Sequence, residues 1–294
     1  MQHPPNSILK GVAATLAATL LFASQDAITK HLTATVSIAQ IVFVRFFFFS
    51  VFAIVFASRR GGVSSALASR SSVLQGARGG LIVAEIAVFA LALRHLGVAE
   101  AHVLFASFPL MVTALSSPVL GERVGWRRWA AVVCGFIGTV LILDPGGGVF
   151  KAEALIALFA ALLFALYNLV TRRTGRHDRF ETSLLYFGLV GLAVSALVAP
   201  FFWRSLNGEE LAWLGTLTAT SITGHLLLIK ALQLAPAVVL QPFNYFLLVW
   251  AIAVGYVVFG EVLSAMDLVG ASIVVGSGLF ITLRNKKIQG SNAP

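Results

Sequence analysis

The 294 residues are 58% hydrophobic and only 11% charged, with a mean hydropathy of +0.91, against about 25% charged residues in a soluble domain. That balance excludes a water-soluble enzyme. At about 20 apolar residues per membrane crossing, the chain has room for ten spans and no separate catalytic domain. The net charge of +9 does not point to nucleic acid, because the basic residues are scattered over short loops between apolar runs; the lipid bilayer is the expected partner.

In chain order the apolar runs predict ten transmembrane helices, at roughly 10-31, 37-57, 73-95, 98-120, 127-144, 153-172, 182-203, 211-233, 236-259 and 265-284. The run after Lys10 is about 20 residues long, beyond the apolar core of a signal peptide, and is expected to remain as the first span. Cys134 lies within an apolar run and is the single cysteine, which leaves neither an intramolecular disulfide nor a cysteine metal cluster. With the N-terminus in the cytoplasm, Lys10, Lys230 and the basic clusters at 59–70, 123–128, 172–179 and 284–287 fall on that side. Only Lys30, Arg94, Lys151 and Arg204 fall opposite, so the positive-inside rule predicts a multi-pass protein of the plasma (bacterial inner) membrane with both termini cytoplasmic.

The chain repeats itself. Leu21-Phe22-Ala23-Ser24-Gln25-Asp26-Ala27-Ile28-Thr29-Lys30 recurs as Leu163-Phe164-Ala165-Leu166-Tyr167-Asn168-Leu169-Val170-Thr171-Arg172, and Ala92 through Glu122 aligns without a gap on Ala231 through Glu261, 139 residues later. Five spans per half is an odd number, so the second half enters the membrane from the opposite side and the repeats are inverted. The expected fold is an all-α integral membrane protein of two inverted five-helix repeats, 1-144 and 145-294, joined at the turn-rich Asp144-Pro145-Gly146-Gly147-Gly148. Such halves are typical of carriers whose site lies at the repeat interface near mid-membrane.

Leu120-Gly121-Glu122-Arg123, followed by Trp129-Ala130-Ala131 and Gly135-Phe136-Ile137-Gly138, has a counterpart in Phe259-Gly260-Glu261-Val262, followed by Gly270-Ala271 and Gly276-Ser277-Gly278. With ten spans and cytoplasmic termini, these motifs resemble the drug/metabolite transporter superfamily, in its ten-helix EamA-type branch. The resemblance implies a secondary carrier working by alternating access, commonly an exporter of amino acids or other small metabolites. Each glycine suits a left-handed helix end, and each glutamate suits a cap on the next helix's free N–H groups or, in the rival reading, a lock between the halves.

An ionisable group at the bilayer centre costs on the order of 3 kcal/mol, so Asp26, Arg45, Arg78 and Glu85 need partners or water. Arg45 and Glu85 match in depth and are expected either to pair or to meet substrate or a proton. Asp26 and Lys30, four residues apart, suit a local pair or recognition of a substrate amine, with Asn168 at the equivalent repeat position. Arg78 is near a helix end and suits snorkelling. In span four His102 aligns with Gln241 of span nine, whose face continues through Asn244 and Tyr245. Thr218, Ser221 and His225 share a face of span eight, and His225 suits substrate or proton binding. Tyr167 sits beside Asn168. The substrate-binding candidates are thus Asp26, Glu85, His102, Tyr167, Asn168, His225, Gln241, Asn244 and Tyr245.

Pro109 and Pro242 are expected to kink spans four and nine. The close-spaced glycines at 76 and 80, 135 and 138, and 276 and 278 are expected to let helices approach. Phosphate-loop, zinc-protease and nucleophile-elbow motifs are absent from the sequence, so no cofactor, metal or ATP-driven step is expected; the driving force is the substrate's gradient or a coupled ion, with protons the candidate. The expected function is export of small metabolites, most plausibly amino acids, through a cavity between the halves. The alternatives are a non-transporting membrane sensor or assembly subunit, and an intramembrane enzyme, which the doubled scaffold disfavours.

Overall fold

The structure, a computed structural model, describes residues 5–121, 124–143, 152–174 and 178–291. Glu122, Arg123, the 144–151 junction and Arg176 lie outside them, as do the side chains of 5, 6, 237, 238, 241 and 282–291.

The chain is helical throughout the described residues. The first half contains α1 (Pro5–Thr33), α2 (Ile38–Arg59), a short surface helix α3 (Val63–Leu67), α4 (Ser72–His95), the pair α5 (Val98–Phe105) and α6 (Phe108–Leu120), and α7 (Trp126–Leu143). The second contains α8 (Ala154–Thr174), α9 (Phe180–Val198), α10 (Gly208–Leu234), α11 (Ala237–Leu240), a 3-10 turn at Gln241–Tyr245, α12 (Phe246–Phe259) and α13 (Ala265–Ser291). Nine stretches are long and apolar enough to cross a membrane, and a tenth apolar stretch, Ala265–Ile281, opens α13.

Spans four and nine are both discontinuous, at equivalent places. Pro109 has no N–H for the Phe105 carbonyl, and the chain steps through Ala106-Ser107 before α6 resumes; Ser107 Oγ donates to the Leu104 carbonyl at 2.7 Å. In span nine the break is the 3-10 turn that contains Pro242. Each second segment ends on a left-handed glycine, Gly121 at φ +68° and Gly260 at φ +66°, as a helix terminus of this type requires.

The packing exchanges the halves. The tightest pairs are α1 with α10, α4 with α8, α2 with α9 and α7 with α13. Replacing each helix of these four pairs by its repeat counterpart returns the same four pairs, and α1 with α12 has its match in α8 with α6. Neither half has a core of its own. Small residues permit the close approach where it occurs: a Cβ on Gly138 would stand 2.9 Å from the Gly270 carbonyl oxygen of α13. Gly76, Gly80 and Gly276, by contrast, face open space, so half of the small-residue pattern makes no helix contact.

Other contacts break the symmetry, among them α6 with α7, which α12 and α13 barely repeat. α1 packs against α4, whereas their counterparts α8 and α10 barely touch.

Candidate substrate cavity

α1 presents one polar face at helical spacing: Phe22, Gln25, Asp26 and Thr29 all open into a cavity of about 380 Å³. Opposite stand Glu85 of α4, His102 and Phe105 of α5, Phe164 and Tyr167 of α8, and His225 of α10; Arg45 of α2 and Phe187 of α9 complete the charged and aromatic lining. Thus all of the first three spans of each half contribute. Phe89, Phe105 and Phe164 form a continuous aromatic wall, with ring centroids 4.8 and 5.3 Å apart, and Tyr167 stacks on Phe164 at 5.8 Å and 18°.

The acids and bases are distributed differently from the sequence expectation. Asp26 does not pair with Lys30; it meets His102, with Oδ2 3.1 Å from Nε2. No ion pair joins Arg45 to Glu85 among the described residues, although both line the cavity. Their charges are left facing the shared space. His225 Nδ1 lies 2.8 Å from the Ser221 carbonyl oxygen; a carbonyl only accepts, so Nδ1 carries the proton and Nε2 is the acceptor in the neutral ring. Gln25 Oε1 is buried without a partner.

Lys30 instead reaches Glu261, and the ammonium also lies 4.8 Å from the Phe259 ring centroid. Glu261 also accepts a 3.1 Å bond from the Ala99 N–H at the start of α5. The glutamate is therefore a cap, but for a helix of the other half rather than for the next helix. α13 is capped by its own residues: Ser264 N–H donates to Asp267 at 2.9 Å and Asp267 N–H to Ser264 at 3.1 Å. Gly97 and Gly255 make the seat possible, since a Cβ on either would stand 2.9 or 2.6 Å from the Glu261 carboxyl. This cluster joins α1, α5 and the end of α12 at the Lys30 end of α1.

Of the predicted site residues, Asp26, Glu85, His102, Tyr167 and His225 come together. Asn168 turns back on its own helix, its Nδ2 donating to the Phe164 carbonyl at 2.7 Å, and is not in the lining. Asn244 and Tyr245 are also outside it; the Tyr245 hydroxyl is directed at Gly278 of α13. The backbone of Gln241 lies in the 3-10 turn, and its side chain is outside the described residues. Arg45, expected to pair with Glu85 or to meet substrate or a proton, lines the cavity; Gln25, Thr29 and the aromatic wall are not among the expected site residues. The spacing of 22, 25, 26 and 29 was the available signal for the α1 face. Arg78 does not snorkel: it is 3% exposed.

Residues 9–144 and 151–283 each match the EamA-like transporter family. The chain belongs to the EamA-like transporter family. It is a multi-pass membrane protein and a secondary transporter of small metabolites, not an enzyme. Over 287 residues it is 29% identical to an S-adenosylmethionine uptake transporter of Rickettsia felis, covering 98% of this chain and 97% of that one. It is 34% identical over 181 residues to a riboflavin transporter of Vibrio cholerae, covering 61% and 60%. It is 25% identical over 284 residues to a pseudopaline exporter of Pseudomonas aeruginosa, covering 94% and 97%. A crystal structure at 22% identity superposes with a TM-score of 0.63, covering 95% of this EamA-like chain and 98% of that one, and it shares the fold.

Proposed function

We propose that this EamA-like transporter carries a small zwitterion that bears a positive charge and a planar ring, with S-adenosylmethionine as the representative, by alternating access between the two repeats 1-144 and 145-294. The observation that carries this reading is the cavity's own chemistry. Two carboxylates, Asp26 and Glu85, face one guanidinium, Arg45, beside a wall of phenyl rings. Carboxylates favour a cationic centre, and aromatic faces favour both a cation and a planar ring. A few polar groups in an apolar cleft orient a small molecule. Support also comes from the nearly full-length similarity to the Rickettsia felis transporter.

The amino-acid head of such a molecule fits the zwitterion expected from the sequence. Free aliphatic amino acids lack the ring that the wall would hold. A secondary carrier runs either way, so direction follows the gradients across the membrane, which we take to be the bacterial inner membrane with both termini cytoplasmic. The Asp26–His102 pair and Glu85 are the groups through which protons would couple.

The test is flux into proteoliposomes for S-adenosylmethionine, riboflavin and a panel of amino acids, with and without a pH gradient. Saturable S-adenosylmethionine flux that depends on the protein is expected. Flux of free amino acids alone would replace this reading with amino-acid export, and pH-independent flux would remove proton coupling.

A further inference from the structure

Arg78 lies on the same face of α4 as Glu85, seven residues or about 10 Å toward the Ser72 end. Its surroundings account for only part of its charge. The guanidinium donates to the Ser183 carbonyl of α9 and stands 5.5 Å from the Tyr167 ring centroid. Its Nε is buried with no partner. Among the described residues no carboxylate is paired with it: Asp178 instead accepts from Ser69, from the Arg70 N–H and from Gln75. Asp178 acts on it only from beyond ion-pair distance; a buried cation held this loosely in a membrane span is costly, and such residues mark substrate pathways.

A side chamber of about 140 Å³ lies against it, walled by Arg78, Ser183, Tyr167, Phe187 and His225. Tyr167, Phe187 and His225 line the central cavity as well, so the two spaces meet at these side chains. Residues of both α8 and α10 line the chamber, where the two helices barely touch. The scaffold does not demand an arginine there: carrying the 139-residue register back along α4 sets Leu217, fully buried in α10, against Arg78.

We propose that Arg78 and its chamber form the anion subsite of the transport pathway and take the carboxylate of the substrate, a reading that rests on the zwitterionic substrate proposed above. A guanidinium binds a carboxylate through two parallel N–H donors, which the Ser183 contact leaves room for. Arg45 is a poorer candidate because it already faces Asp26 and Glu85. The site thereby holds the two charges of a zwitterion at different depths, the cation at Asp26 and Glu85 and the carboxylate at Arg78.

The experiment compares transport of S-adenosylmethionine with that of its decarboxylated counterpart in proteoliposomes of wild type, Arg78→Gln and Arg78→Lys. Arg78→Gln is expected to raise KM for the carboxylate-bearing compound by about tenfold or more, the effect of losing hydrogen bonds to a charged group, while KM for the decarboxylated one changes by less than about twofold. Arg78→Lys, which keeps the charge, is expected to fall between. Taking the ratio of the two compounds within each variant removes any loss of folded protein. Equal changes for both compounds would overturn the subsite alone. Wild type carrying neither compound would overturn the substrate reading and the subsite with it.

Discussion

At the Lys30 end of the cavity, α1, α5 and α12 converge on a single carboxylate, with Glu261 holding both the Lys30 ammonium and the Ala99 N–H. At the Tyr167 end, α8 and α10, the counterparts of α1 and α4, barely touch, and residues of both line the Arg78 chamber. One repeated scaffold thus supports two arrangements, joined by polar contacts at one place and leaving a chamber at another. Beside apolar packing at Leu96 and Val98, the Lys30 end is joined by an ion pair and a helix cap. Such contacts can part at modest cost, whereas the α7–α13 contact, packed through glycines, is built to persist. Exchange of the two arrangements between the halves is the motion that alternating access needs.

The largest effect should come from the cation site on α1 in the central cavity. Asp26→Asn removes one partner of a largely buried charged pair, a change that costs about 2–5 kcal/mol, so S-adenosylmethionine flux in proteoliposomes should fall on the order of 100-fold. An unchanged KM would move the cation site elsewhere and break the comparison at its centre. Next in size is the shared frame. Gly138→Ala drives a methyl group against the α13 backbone and should lower stability by about 1–3 kcal/mol. Gly276→Ala, which meets open space, should shift it by less than about 0.5 kcal/mol. Thermal unfolding in detergent separates the two, and equal shifts would deny that α7 and α13 form a tight seam.

The latch itself is expected to contribute ~1 kcal/mol, as a partly buried ion pair does. In a Cys134→Ser background carrying Thr29→Cys, a further Lys30→Met substitution should therefore speed thiol labelling from the Lys30 end by about fivefold. No acceleration would show that the Ala99 cap alone keeps this end shut. The smallest effect belongs to the aromatic wall. Phe164→Leu keeps the volume roughly but loses ring contacts of about 0.5–1.5 kcal/mol, and should weaken ring-bearing substrates about threefold while sparing aliphatic amino acids in a competition assay.

The fold was legible in the sequence because insertion into a bilayer is decided locally. Length and hydropathy of each run set the spans, and Gly121 and Gly260 marked the helix ends that the structure shows in the left-handed region. Pro109 and Pro242 located the breaks, since a missing N–H acts wherever the residue sits. The site was less legible. Phe22, Gln25, Asp26 and Thr29 form a face by helical spacing alone, yet their counterparts Phe164 and Tyr167 reach the cavity while Asn168 bonds back to its own helix. Repeat alignment matches positions along the chain and says nothing about which side of a helix the partner helices leave uncovered.

By itself the sequence determined a doubled, ten-span carrier scaffold and the set of ionisable residues held inside it, because the cost of burying charge and backbone in lipid acts residue by residue. Only the tertiary structure decided which charges meet. Lys30 turned from Asp26 to Glu261 more than two hundred residues away, Asp26 turned to His102, and Arg78 turned inward beside Tyr167. Those choices depend on which helices of the opposite half lie within a few ångströms, and that proximity exists only once the two repeats have interleaved.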